Sequence, residues 1–446
     1  AGDGTSGNEL WKSDGTGPGT VLVKDIYPGA AGSAPQLLEL RSDGIICRAG
    51  HPDYGREPWI SDGTEAGTRL LKDLEARTPS AQIASLTPLG EMVLFRAQTD
   101  DYGAELWGSD GTPGGTQMLM DIRAGGQSSN PVQLTALGGT VLFVADDGTH
   151  GPELWETDGT PAGTGMVKDI NPGSAYGWPN ELTEVAGRVF YRAETPGEGV
   201  ELWKTDGTEA GTELVKDIRP GASGSSPSHF TNVNGTVFFR AYTDTHGTEL
   251  WKSDGTEAGT VLVRDIHAGG SSTPEDLVAV GDTLFFTAEE PVNGRELWKS
   301  NATEGTVLVA GIGAGPLSGI YQQLTAFDGK LFFTVTDTTD GEELWSSDGT
   351  SLGTQLFANI APGAFSSAPD SLTVVGNRLY FSADDNSSGR ELYVTDGTLA
   401  GTARVADLEP GLAGSNPAAL AEAGGRLYFR AETSAYGGEL WRLNGI

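Results

Sequence analysis

Short runs of alternating apolar and polar residues fill this chain, each closed by Gly, Pro, Asp or Ser. Between positions 181 and 218 the pattern predicts four strands, at 181–185, 189–193, 201–205 and 213–218, joined by turn-rich segments. No stretch shows helical periodicity, so the unit reads as an antiparallel meander and the chain as all-β. In the third strand Leu202 and Trp203 are neighbours, and adjacent strand residues point to opposite faces. Both faces are therefore apolar, and a lone sheet of this kind would expose one of them to water. Each sheet needs a like neighbour on either side.

The neighbours are written into the sequence. The stretch Glu-Leu-Trp-x-x-Asp-Gly-Thr, with variations, recurs every 47 or 48 residues. Its aromatic falls at Trp11, Trp59, Trp107, Trp155, Trp203, Trp251, Trp298, Trp345, Tyr393 and Trp441. Its turn aspartate falls at Asp14, Asp62, Asp110, Asp158, Asp206, Asp254, Asp348 and Asp396. Four-stranded sheets stacked face to face in this way are the blades of a β-propeller. The expectation is one propeller over residues 1–446, with nine four-stranded antiparallel blades and a closing blade shared by N- and C-terminal strands. Either copy of the duplicated third strand could fill the last slot. An open or partial ring is the alternative. The two shortened repeats lose their residue in connections, where a deletion does not reverse the facing of a strand.

Composition narrows the partners. A formal charge of -33 argues against nucleic acid and anionic membranes, and no apolar run of 18 residues suggests membrane insertion. The single cysteine, Cys47, excludes an intrachain disulfide framework and occupies a strand position that carries an aromatic in other repeats, so a buried thiol is expected. The sequence opens in mid-repeat, as a processed or trimmed chain would.

The repeated motif resembles the signature of the ELWxxDGT repeat family of bacterial secreted and surface proteins, over the whole chain. That resemblance implies an extracellular or cell-surface setting and brings no assigned activity. The departures are Pro58 for Leu, Tyr393 for Trp, and Asn301-Ala302-Thr303 for Asp-Gly-Thr. The Asp-Gly-Thr turn also looks like the Asp-box of sialidase-type propellers, where carboxylate and hydroxyl staple a hairpin and glycine supplies positive φ.

Candidate chemistry is thin. Arg48, Arg96, Arg192, Arg240 and Arg430 end second strands in units whose third strands start with Glu57, Glu105, Glu201, Glu249 and Glu439, so cross-strand Arg–Glu pairs are expected. The aspartates of Val-Lys-Asp-Ile, among them Asp73, Asp121, Asp169, Asp217 and Asp265, are expected to accept backbone N–H groups. Calcium there is the one cofactor candidate. Residues that break the repeat gather in two loop sets expected to share a face: His51, Tyr54, Tyr102, His150, Tyr176, Trp178, His246 and Tyr436. Exposed aromatics among carboxylates suit a glycan or protein ligand. The expectation is a monomeric, non-enzymatic binding scaffold using that face. The alternatives are a glycan lyase or hydrolase with its site at the central mouth, and a calcium-stiffened structural repeat.

Overall fold

The computed structural model describes residues 5–12, 19–75, 80–173, 176–301, 305–310, 321–337, 340–363, 365–423, 425–435 and 437–443. The architecture is all-β, a nine-bladed β-propeller, with no helix among the described residues. Eight sheets are complete four-stranded antiparallel meanders, spanning 36–70, 84–120, 132–168, 180–216, 228–264, 275–310, 321–358 and 370–404. The remaining strands form a two-stranded sheet, Leu10–Lys12 with Val21–Lys24, and a three-stranded sheet of Ala418–Ala423, Arg426–Thr433 and Gly437–Arg442. The two copies of the third strand thus each keep the partner next to them in sequence. The chain falls into two compact units, Ala1–Phe230 with Gly255–Thr260, and Thr231–Asp254 with Val261–Ile446.

One blade explains the rest. Its strands are Asn180–Val185, Arg188–Thr195, Gly199–Thr205 and Glu213–Lys216. Tyr191 stands opposite Trp203 and Arg192 opposite Leu202, so tryptophan and leucine go to different faces. The Trp face (Val189, Tyr191, Ala193, Trp203) packs on Leu142, Leu154, Val167 and Ile170 of the preceding blade. The same order recurs within the second unit, where Phe286, Ala288 and Trp298 meet Phe238, Leu250 and Ile266. Each contact is leucine face to tryptophan face, front to back. A buried Trp removes about 150–250 Å² from water. At ~25 cal/mol/Å² that is about 4–6 kcal/mol gross, an upper bound against an extended chain. Cys47 fills an aromatic's place opposite Trp59, and burial pushes its thiol pKa up to about 12.

A feature absent from the sequence reading lies in the first strands. Register shifts at the same place in most blades, and the residue there takes positive φ: Ser85, Gln133, Glu181, Asp276, Ser371 and Ala419. The bulge bends the strand.

Candidate functional site

The motif glutamates Glu9, Glu57, Glu105, Glu153, Glu201, Glu249, Glu296, Glu343 and Glu391 are buried rather than paired with arginine, and Glu439 is half-buried. Glu201 is 0 % exposed. Its carboxylate accepts Arg219 N–H (3.0 Å), Ser225 N–H (2.8 Å) and the Ser225 hydroxyl (2.5 Å). Glu9, Glu105, Glu249, Glu343 and Glu391 hold serines of their own connections in the same way. For Glu296 the hydroxyl comes instead from Tyr321 (2.6 Å). Each connection that supplies such a serine is thus tied to the third strand of the blade it leaves. Burial pushes the carboxyl pKa of Glu57, Glu153 and Glu201 up to about 7, against the pull of these donors.

The expected Arg–Glu pairs are corrected by register. Ala193, not Arg192, stands opposite Glu201, so arginine and glutamate face opposite ways. The arginines go elsewhere: Arg48 to Ile83 O (3.0 Å), Arg96 to Asn130 (3.0 Å), Arg192 to Glu181 (3.7 Å), Arg240 to Glu275 (3.5 Å), and Arg430 to Glu432.

The Asp-Gly-Thr turns close hairpins. Asp206 Oδ1 accepts Thr208 N–H (2.9 Å) and its hydroxyl (2.7 Å), and Thr208 Oγ1 accepts Gly211 N–H (2.9 Å). The same bonds are made by Asp62, Asp110, Asp158, Asp348 and Asp396. The hydroxyl bond, first among the causes, holds all six carboxyls below the usual Asp range.

At the other end of the strands, the loop between strands two and three meets the interblade connection. Trp178 N–H donates to Pro152 O and Glu194 N–H to Gly177 O, lacing one blade to the next. Here the Val-Lys-Asp-Ile aspartates behave only half as expected. Asp121 Oδ2 accepts Gly125 N–H (3.2 Å), but Oδ1 of Asp73, Asp121, Asp169, Asp217 and Asp265 is buried with no partner in the chain. The motif tryptophans repeat the pattern. Nε1 of Trp59, Trp107, Trp203, Trp251, Trp298 and others is buried and unpartnered, whereas Trp155 donates to Ala145 O (3.0 Å).

A cavity of about 270 Å³ is lined by Asp73, Leu74, Glu75, Thr99, Asp101, Tyr102 and Trp107. A larger crevice of about 390 Å³ is lined by residues 162–164 of one Asp-Gly-Thr turn, 165–167 of the strand that follows it, Gly207 and Glu209 of the next such turn, and Glu156. Among the described residues no group of three His, Cys, Asp or Glu side chains is gathered as a metal site, so the calcium candidate finds no ligand set there.

The sequence-predicted residues form local groups. His51 packs against Tyr54 (ring centroids 4.7 Å) and Trp59 (5.9 Å). His150 bonds to Asp147 (2.7 Å), which raises the imidazole pKa. His246 lies 3.3 Å from the Thr243 hydroxyl. Tyr102 lines the cavity with Trp107. Tyr176 and Trp178 meet edge to face at 5.9 Å. Trp178 is 54 % exposed and sits at φ 43°, a place held by Ala34, Asn130, Ser226, Thr273, Ala368 and Asn416 in other connections, all at positive φ. His51, Tyr102 and His150 belong to three successive blades. Asp14 and Tyr436 lie outside the described residues.

No helix among the described residues is long and apolar enough to cross a membrane. No protein-family model matches the sequence, and no curated protein matches it. Solved structures do. A puromycin hydrolase is 14 % identical over 78 % of this chain and 58 % of its own, with a TM-score of 0.35. Prolyl endopeptidases match at 11 % identity over 80 % of this chain and 55 % of theirs, with a TM-score of 0.38. The β-propeller domain of the Trilobed protease from Pyrococcus furiosus matches at 12 % identity over 73 % of this chain and 98 % of that domain, with a TM-score of 0.34. The chain spans little more than half the length of the first two. These structures come from peptidases, against the expectation of a non-enzymatic scaffold, and that expectation does not stand. The likeness passes no activity to this chain.

Proposed function

We propose that this propeller captures small polar ligands in the crevices between consecutive blades, on the side where the loops between strands two and three meet the interblade connections. The observation that carries the reading is the recurrence of two buried, unpartnered atoms, a motif indole N–H and the Oδ1 of the aspartate that follows strand four of the preceding blade. Asp73 and Trp107 line one crevice, and Asp169 with Trp203 and Asp265 with Trp298 carry the same buried, unpartnered atoms in the equivalent repeat positions. An unsatisfied buried polar atom costs about 1–3 kcal/mol, and native folds leave few of them. Repetition at equivalent positions of alternate blade pairs favours a small partner able to accept from an indole and donate to a carboxylate. A hydroxyl group does both, as does water. Capture is a step that a hydrolase needs as much as a receptor does. The reading keeps the ELWxxDGT resemblance, carried by the motif residues alone, and with it an extracellular or cell-surface setting.

Indole N–H resonances of the ¹⁵N-labelled intact chain test this directly. On titration with glucose or glycerol, the Trp107, Trp203 and Trp298 signals are expected to move. Trp155, whose N–H is already given to Ala145 O, is expected to stay in place. Ten motionless indoles, or Trp155 moving with the rest, would defeat the reading.

A further inference from the structure

Two aromatic rings stand in water on a segment that is held still. Tyr176 is 51 % exposed and Trp178 54 %, and they meet edge to face at 5.9 Å with 81° between their planes. Among the described residues Trp178 is the one exposed tryptophan. Other connections carry small or polar residues at both places: Ser128, Gly224 and Ser271 where Tyr176 stands, Asn130, Ser226 and Thr273 where Trp178 stands. The latter three take positive φ as Trp178 does, so the fold sets the backbone there. A bulky residue is an exception in that region, and neither backbone preference nor burial accounts for an indole in this slot. The segment is tied on both sides. Asn171 Nδ2 donates to Tyr176 O (3.1 Å), Gly177 N–H to Glu153 Oε1 (3.0 Å), Trp178 N–H to Pro152 O (3.2 Å) and Glu194 N–H to Gly177 O (2.7 Å). A Cβ at Gly177 would lie 2.6 Å from Glu153 Oε1, so glycine lets the backbone settle on that carboxylate.

We propose that Tyr176 and Trp178 form a corner that binds one pyranose ring of a soluble, uncharged glycan. The proposal uses only surface open to solvent and does not rest on the capture reading above. A whole aromatic side chain presents about 150–250 Å², so these two, half-exposed, leave roughly that much open between them. A stable protein interface takes about 800 Å² from each partner. The flanking loops do not enlarge the patch, since their exposed residues are Gly148, Thr149, Glu194, Pro196 and Gly197. A small ligand with one apolar face and a polar rim matches this surface. A pyranose is such a ligand, with axial C–H bonds on its face and hydroxyls around its edge. One aromatic ring takes the face, and the other, nearly perpendicular, bounds it. Planes at 81° cannot both lie flat on a polymer sheet, so the occupant is a single sugar ring and not a crystalline surface. Glu194, exposed and bonded through its N–H to Gly177 O, brings a carboxylate that accepts from hydroxyls. A formal charge of -33 disfavours acidic glycans. The tied backbone spares the ordering cost of binding.

The probes are cellohexaose, xylohexaose, mannohexaose and N-acetylated chitohexaose, titrated into the ¹⁵N-labelled intact chain and followed at the Trp178 indole N–H. At least one is expected to shift that signal saturably and to shield Trp178 from acrylamide quenching. Tyr176→Ser is expected to weaken binding by about tenfold, the loss of one ring contact. Trp178→Asn introduces the residue type found in the same slot at Asn130 and Asn416, one that tolerates positive φ. It is expected to abolish binding in calorimetry and to leave the urea midpoint at or above that of the parent chain. A midpoint that drops would make Trp178 a packing residue and overturn the proposal. So would a Trp178 signal that ignores every sugar, or one that answers only choline chloride or hexaproline. Retention on microcrystalline cellulose that vanishes in Trp178→Asn would overturn the corner geometry. If Trp178 stays silent while Trp107, Trp203 and Trp298 move, this proposal fails and capture stands.

Discussion

At the scale of single residues the determining feature is a carboxylate that faces inward. Glu201 ties Arg219 and Ser225 of its outgoing connection to the strand. Glu201→Gln keeps the shape but turns one oxygen into an NH₂ donor facing N–H donors. The expected cost is about 1–3 kcal/mol for each amide left without an acceptor. Amide exchange at positions 219 and 225 should therefore accelerate sharply, while the strand core around Tyr191 stays protected. Unchanged exchange at those two amides would refute the role. The sequence made the glutamate visible as a repeat but not its function. Arginine one register step away suggested a pair, and only the strand pairing shows that the two side chains leave on opposite faces. The sequence mark of the partner is a serine 24 positions after the glutamate, at Ser33, Ser129, Ser225, Ser367 and Ser415.

At the scale of the element, the Asp-Gly-Thr hairpin depends on a second glycine. A Cβ on Gly115 would lie 2.0 Å from the Asp110 carboxylate, whereas one on the adjacent Gly114 would meet nothing within 4 Å. Neighbouring substitutions should therefore diverge. Gly114→Ala is expected to be neutral or to stabilise by about 0.4–1 kcal/mol through the unfolded chain. Gly115→Ala must displace Asp110 from Thr112 and should destabilise by about 1–3 kcal/mol. Urea denaturation of the two variants side by side checks this, and equal midpoints would contradict it. Strand boundaries and turns were legible because alternation, glycine and aspartate each leave a local mark. The bulges were not. Gln133 and Glu181 adopt positive φ without the glycine or asparagine that usually announces it, so no residue type marks the bend.

At the scale of the whole molecule, titration should show in stability. Glu57, Glu153 and Glu201 keep their protons to about 7 when folded, against about 4.3 in an unfolded chain. Between those values the folded state binds more protons, so this contribution is complete below about 4.3 and is lost as pH rises toward 7. The turn aspartates act oppositely. Their folded pKa values are lowered, so their contribution is present above about 3.9 and fades as pH falls below it. Repulsion from a formal charge of -33 adds to the decline on the neutral side. Denaturant midpoints measured across pH should peak near about 4.5 and fall by pH 7. A midpoint that rises steadily to neutrality would contradict the assignment of these buried glutamates.

The leucine-to-tryptophan contact between blades has a direction, and direction has consequences for fragments. A piece cut at repeat boundaries carries a donor surface at one end and the matching acceptor at the other. Such surfaces cannot pair with themselves across a twofold axis, so two pieces meet nose to tail and a third can follow. Excised repeats of this chain should consequently assemble into rows or rings in proportion to concentration, rather than stop at dimers.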